Sequence, residues 1–209
     1  MTALGSPGLR ADRLLLFSDA VAAIALTLLV LPLVDLVPEA VARHEAPVEV
    51  LARNLVALGS FVLSFFVVWR VWTVHHRLFD RTVTVSPRVV RLNALWLLCV
   101  VFLPFPAEMV ASYGEAPLVP ALYVGVLLAS SVTLVAMAVA MRRTAPEGEA
   151  PDRADLERVA GNASCLAVAF VIVVAVPAAG YWPLLLLLVD GPVLAVVRRV
   201  RRRLALGGS

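Results

Sequence analysis

Arg13, Ser18 and Asp19 stand in the string Arg13-Leu-Leu-Leu-Phe17-Ser18-Asp19, which runs without interruption into the apolar stretch Ala20 to Leu33. A cation, a hydroxyl and a carboxylate at the head of such a stretch can carry an ion or tie helices together. Either use needs a partner, because an unpaired charge in hydrocarbon is costly. Residues 14–34 make a helix about 31 Å long at 1.5 Å per residue, which matches a hydrocarbon core of about 30 Å. Were Ser18-Asp19 only an N-cap, the helix left from Ala20 to Val34 would reach about 22 Å. Asp19 is therefore expected inside a membrane-spanning helix. It lies six residues from Arg13, outside the i,i+4 spacing that pairs side chains on one helix, so their partners are expected on other helices.

Other residues with chemical potential are scattered. His75 and His76 precede Arg77 at the end of an apolar run, and neighbouring helical positions point about 100° apart, a poor geometry for joint metal binding. Cys99 and Cys165 lie in apolar runs without metal-ligand spacing and read as small core residues. Asp190-Gly191-Pro192 interrupts the last apolar run, where the acid is expected to help satisfy backbone groups freed by Gly-Pro. Glu108 is expected near the outer membrane face, either attracting cations or solvated. The chain has no Gly-rich phosphate loop, no His-Glu-x-x-His, no Gly-x-Ser-x-Gly and no Cys/His cluster, so an enzyme is not expected. No metal or cofactor is expected either.

The elements that must position these residues follow from composition. Of 209 residues 61% are hydrophobic and only 16% charged, with a mean hydropathy of +0.92, which places the chain among integral membrane proteins. Six spans are predicted: roughly 14–34, 51–74, 89–112, 118–141, 159–179 and 181–197, in one membrane domain covering 1–209. The loop from Thr144 to Asp155, with Pro146, Gly148 and Pro151, is the only linker-like segment. The first span is too long for a signal-peptide core and is expected to remain as a signal anchor.

All 18 basic residues are Arg, and the net charge is +3. Arg10 and Arg13, the group from His75 to Arg91, Arg142 to Arg158 and Arg198 to Arg203 fall on one side of a six-span topology. Asp35, Glu39, Glu45, Glu49 and Glu115 fall on the other, with Arg43 and Arg53 as exceptions. The positive-inside rule then puts both termini in the cytoplasm, in the plasma membrane, and explains the basic residues better than nucleic-acid binding does. The Arg198–Arg203 tail reads as a stop-transfer and phospholipid anchor. Tyr113, Tyr123, Tyr181 and Trp182 are expected at the outer interface.

On the first helix Ile24, Leu28 and Leu31 form one stripe with Thr27 beside it, while Ala20, Ala22, Ala23 and Ala25 would let neighbouring helices approach closely. By periodicity alone this stripe can face lipid, core or a pore.

The string Arg13-x-x-x-Phe17-Ser18-Asp19, followed by Ala-Ile-Ala-Leu-Thr-Leu-Leu-Val-Leu-Pro through Pro32, resembles the first helix of the endosomal/lysosomal potassium channel family, the transmembrane protein 175 family. Trp72-x-x-His75, Asn93-x-x-Trp96 and Leu103-Pro104-Phe105-Pro106 are similar to that family's pattern. The resemblance implies an all-α bundle of six transmembrane helices and, for a bacterial member with one repeat, a homotetramer whose first helices surround the pore. It implies Ile24 as the narrow apolar layer, Thr27 as the polar layer one turn on, and Leu28 and Leu31 as further pore layers. Potassium is then the permeant ion and an apolar constriction the filter and gate.

Arg13, Phe17, Ser18, Asp19, Trp72, His75 and Asn93 are expected to form a structural polar network that locks the first helix against the second and third. The rival readings are a proton- or cation-coupled secondary transporter, with Asp19 or Asp190 as carrier, and a membrane scaffold without transport.

Overall fold

The structure, a computed structural model, describes residues 9–113, 116, 118–146 and 148–176. Strand β1 (Leu9–Arg10) leads directly into helix α1 (Ala11–Leu28), followed by α2 (Leu31–Ala42), α3 (Pro47–Arg53) and α4 (Leu55–Leu78). Strand β2 (Thr84–Val85) then precedes α5 (Pro87–Phe102), α6 (Pro104–Tyr113), α7 (Leu118–Thr144) and α8 (Arg153–Ala175). Among the described residues five stretches are long and apolar enough to span a membrane: Ala11–Ala42, Leu55–Leu78, Pro87–Met109, Leu118–Thr144 and Arg153–Ala175. The chain is a multi-pass membrane protein. The expected sixth span at 181–197, with Tyr181, Trp182, Asp190 and the Arg198–Arg203 tail, lies outside the described residues.

Prolines set several of the helix boundaries. Pro47, Pro87 and Pro104 each open a helix, where the missing N–H costs no intrahelical bond. The first span, expected as one helix over 14–34, is instead broken at Leu29–Val30, and Pro32 sits at the start of the continuing helix. Pro32 has no N–H for the Leu28 carbonyl, and the chain turns there through a Val30 N–H to Thr27 C=O bond of 3.3 Å. The third span is broken the same way between Leu103 and Pro104. Leu29, Pro32, Leu33 and Ala107 from these two breaks line one shallow crevice together with Ser60 and Ser64 of α4.

Helix α7 forms the centre. Leu127, Leu134, Met137 and Met141 are fully buried between α5 and α8, the two helices that pack most closely on it. Tyr123 is also buried at 1% exposure, so its ring fills the protein core rather than the outer interface, whereas Tyr113 is exposed. Gly125 permits the close approach of α8: a Cβ there would stand 3.3 Å from the Phe170 ring. Cys99 and Cys165 are free thiols of intermediate burial. At the far end of α2, Arg43 pairs with Glu39 and lies 3.8 Å from Glu45, and Arg53 also pairs with Glu45, so the two cations that broke the charge asymmetry are bound into an acidic knot.

Candidate functional site

Helix α1 is divided lengthwise. Its inner face carries Leu14, Ser18, Ala22 and Ala25, all buried, with Leu29 just beyond. Ala22 and Ala25 bring the helix close to its neighbours, whereas Ala20 and Ala23 face outward. Ser18 and Asp19, adjacent and therefore about 100° apart, point to different partners.

Ser18 is completely buried and donates its hydroxyl hydrogen to the Leu14 carbonyl at 2.8 Å. Its oxygen accepts from Asn93 Nδ2 of α5 at 2.8 Å. The Asn93 oxygen in turn stands 2.7 Å from His75 Nε2 of α4. With its amide nitrogen committed to Ser18, Asn93 presents only an acceptor to the imidazole, so His75 carries its proton on Nε2. The His75 ring lies flat on Trp96, with centroids 3.8 Å apart and planes 10° apart. One polar chain thus links α1, α5 and α4 through atoms that are all buried.

Asp19 makes the second branch. Its Oδ1 accepts the Trp72 indole N–H at 2.8 Å, and its Oδ2 lies 3.3 Å from His76 Nδ1. Trp72, His75 and His76 occupy one turn of α4, so both branches from α1 end on the same turn. Inside a span this arrangement supplies what a carboxylate needs, two donors within reach. Arg13 and Phe17 do not join the cluster: both are exposed, and among the described residues Arg13 makes no ion pair.

The outer face of the first span carries Ile24 at 60% exposure, Leu28 at 37% and Leu31 at 49%, with Thr27 also exposed. Leu31 follows the break and belongs to the first turn of α2. Thr27 donates its hydroxyl hydrogen to the Ile24 carbonyl at 2.7 Å, which leaves the oxygen lone pairs facing outward. Among the described residues no element covers these four. Glu108 is exposed on α6.

Sequence reasoning passed over Arg70. It lies within the second span, and its Nε donates to Asn162 Oδ1 of α8 at 3.1 Å. Asn162 Nδ2 donates onward to Ser131 Oγ of α7 at 2.8 Å. An Arg inside an apolar run was a signal available in the sequence. Arg70 is 200° around α4 from Trp72, so α4 faces α1 with one polar group and α8 with another. Among the described residues no cluster of His, Cys, Asp and Glu is arranged to hold a metal ion.

The family described as endosomal/lysosomal potassium channel TMEM175 matches residues 13–104, the segment that contributes Ser18, Asp19, Trp72, His75 and Asn93. The fold extends the match across the bundle. A crystal structure of a lysosomal potassium-selective channel TMEM175 homolog from Chamaesiphon minutus superposes with a TM-score of 0.64 at 25% identity, over 86% of this chain and 97% of that one. Over residues 13–104 the chain is similar to the TMEM175 family, and its fold resembles that of a solved homolog of that family. Among curated relatives, a potassium channel of Chamaesiphon minutus is 33% identical over 124 residues, 56% of this chain and 58% of that protein. A potassium channel of Streptomyces collinus is 33% identical over 100 residues, 46% of each chain. The chain thus spans about half the length of the curated relatives it matches. The matched segment ends at the second proline break, before α7 and α8.

Proposed function

We propose that four copies of this chain form a potassium-selective channel whose conduction path is lined by the open face of the first span. The observation that carries this reading is the division of α1. Its inner face is tied by buried hydrogen bonds to α4 and α5, while Ile24, Thr27, Leu28 and Leu31 stand uncovered on the outer face. A helix held this firmly presents its outer face in a fixed position, which an apolar constriction requires. Similarity to bacterial proteins named potassium channels supports the same reading.

The filter acts by dehydration. An apolar ring a few ångströms wide removes water without replacing it, so the ion that holds its water less tightly passes more readily, and potassium precedes sodium. The same ring closes by dewetting. Thr27, one turn from Ile24, offers a polar oxygen beside the narrowest layer. The polar cluster supports the pore and does not touch the ion. The chain, 1–209, acts as one channel domain without enzymatic activity or cofactor, in the plasma membrane, with both termini cytoplasmic.

A coupled transporter is the competing reading. Asp19 is engaged by Trp72 and His76, which favours a fixed structural role over that of an ion carrier. Flux in proteoliposomes separates the two. The channel predicts potassium flux that exceeds sodium flux, rises linearly with the gradient and ignores an imposed proton gradient; saturable, proton-driven uptake would contradict it.

A further inference from the structure

We infer that Glu149, in the loop between α7 and α8, is a positioning residue for the first helix, acting through the Thr82 hydroxyl and the Val83 backbone. This inference rests on the channel reading only for its consequence in conduction.

The start of α1 is held by a short ribbon. Leu9 pairs with Val85 and Arg10 with Thr84, antiparallel, and the Ala11 N–H donates to the Val83 carbonyl at 2.9 Å. Two strands of two residues each are far below the size at which a ribbon is stable alone. The support comes from the α7–α8 loop. Val83 N–H donates to Glu149 Oε2 at 3.2 Å, and the Thr82 hydroxyl donates to the Glu149 carbonyl at 3.3 Å. Arg81 and Asp152 pair beside them at 3.6 Å.

Val83 is therefore a node: its carbonyl holds the first residue of α1 while its N–H is held by Glu149. The loop is shaped for this contact. Gly148, at φ 88°, takes a conformation that side-chain-bearing residues rarely adopt. The Glu149 N–H closes the turn on the Pro146 carbonyl at 3.2 Å. Glu149 thereby presents both its carboxylate and its carbonyl to one segment, a two-point grip that a freely solvated acid does not make.

The contacts run in series from Glu149 to Val83 to Ala11 and so into α1, which carries Ser18, Asp19 and Ile24. The helix is fixed at its base by this staple and further along by the polar cluster. Beyond Leu28 it is broken, so the tilt of the segment carrying Ile24 depends on those two fixings. The α7–α8 loop thus becomes an input to the first helix, and a partner or ion that draws on Glu149 shifts the base of that helix.

The test compares Glu149→Ala with Glu149→Gln in the full-length protein, because the Gln side chain keeps an oxygen that accepts the Val83 N–H. Hydrogen exchange over residues 9–16 is expected to quicken about tenfold in Glu149→Ala, as loss of one such bond implies, and to stay near wild type in Glu149→Gln. Single-channel recording is expected to show open probability altered about fivefold in Glu149→Ala alone, with the potassium/sodium reversal potential unchanged. Unaltered exchange over residues 9–16 in Glu149→Ala, or a Gln variant that behaves like Ala, overturns the staple. Faster exchange with unaltered open probability overturns its role in conduction. Failure of the wild-type protein to conduct would overturn the channel reading, while the exchange comparison would still decide the staple.

Discussion

Trp72 donates its indole N–H to the Asp19 carboxylate at 2.8 Å, which gives the acid set inside the first span a donor from within the bundle. Trp72→Phe keeps the ring and removes the donor. The carboxylate then retains His76 as its partner in this cluster, and the variant is expected to lose about 1–3 kcal/mol. Thermal dissociation of the detergent-solubilised assembly should shift downward, with ion selectivity unchanged. An unaltered transition would show that the bond contributes nothing to assembly.

Asn93 joins Ser18 to His75, and removing it leaves two buried groups short of partners. Asn93→Leu is expected to destabilise by about 2–3 kcal/mol. Adding His75→Leu to Asn93→Leu should cost less than the sum of the single changes, with a coupling of about 1 kcal/mol or more. Strict additivity in the double-mutant cycle would mean that the 2.7 Å contact carries no energy of its own.

Much of this site was legible because polar atoms inside an apolar run must be satisfied, so Ser18 and Asp19 announced a need for partners. Depth and family pattern then narrowed the partners to Trp72, His75 and Asn93. The 100° divergence of adjacent residues argued against a joint role for His75 and His76, and it is the reason they serve separate partners, Asn93 and Asp19. Arg13 carried the same signal as Asp19, yet it stands near the helix start and is exposed. Neither break in a span was read in advance, although Pro32 and Pro104 both mark where the ladder must fail. The Arg70 to Asn162 contact joins residues 92 apart, and no periodicity encodes a pairing of that kind.

Arg70 gives an asymmetric prediction. Asn162→Leu removes an acceptor from a cation inside the bundle and is expected to cost about 1–3 kcal/mol. Replacing the cation as well, in Arg70→Met with Asn162→Leu, should recover part of that loss, because an apolar pair needs no satisfaction there. Stability is read from the melting of the assembly in both variants. A double variant less stable than Asn162→Leu alone would show that Arg70 stabilises the bundle by more than its bond to Asn162.

Asp152 caps α8, and its carboxyl is held below the ordinary aspartate range chiefly by the Asp155 backbone N–H, with Arg81 adding to the effect. A lowered folded-state pKa means that the cap contributes fully above the unfolded-state value and is lost as pH falls through the folded one. Protection against hydrogen exchange at the first turn of α8, taken relative to the intrinsic rate at each pH, should therefore fall on acidification. Asp152→Asn keeps an acceptor at the cap without the titration, and should abolish that pH dependence. A pH profile identical in the two proteins would assign the titration elsewhere.

The proposed selectivity rests on the apolar face at Ile24. The direct measurement is the reversal potential of the purified protein in planar bilayers, with potassium on one side and sodium on the other, for wild type and Ile24→Ala. The account predicts a potential directed toward potassium in the wild type and a collapse toward zero, with larger conductance, when the ring is widened. A reversal potential that Ile24→Ala leaves unchanged would contradict it.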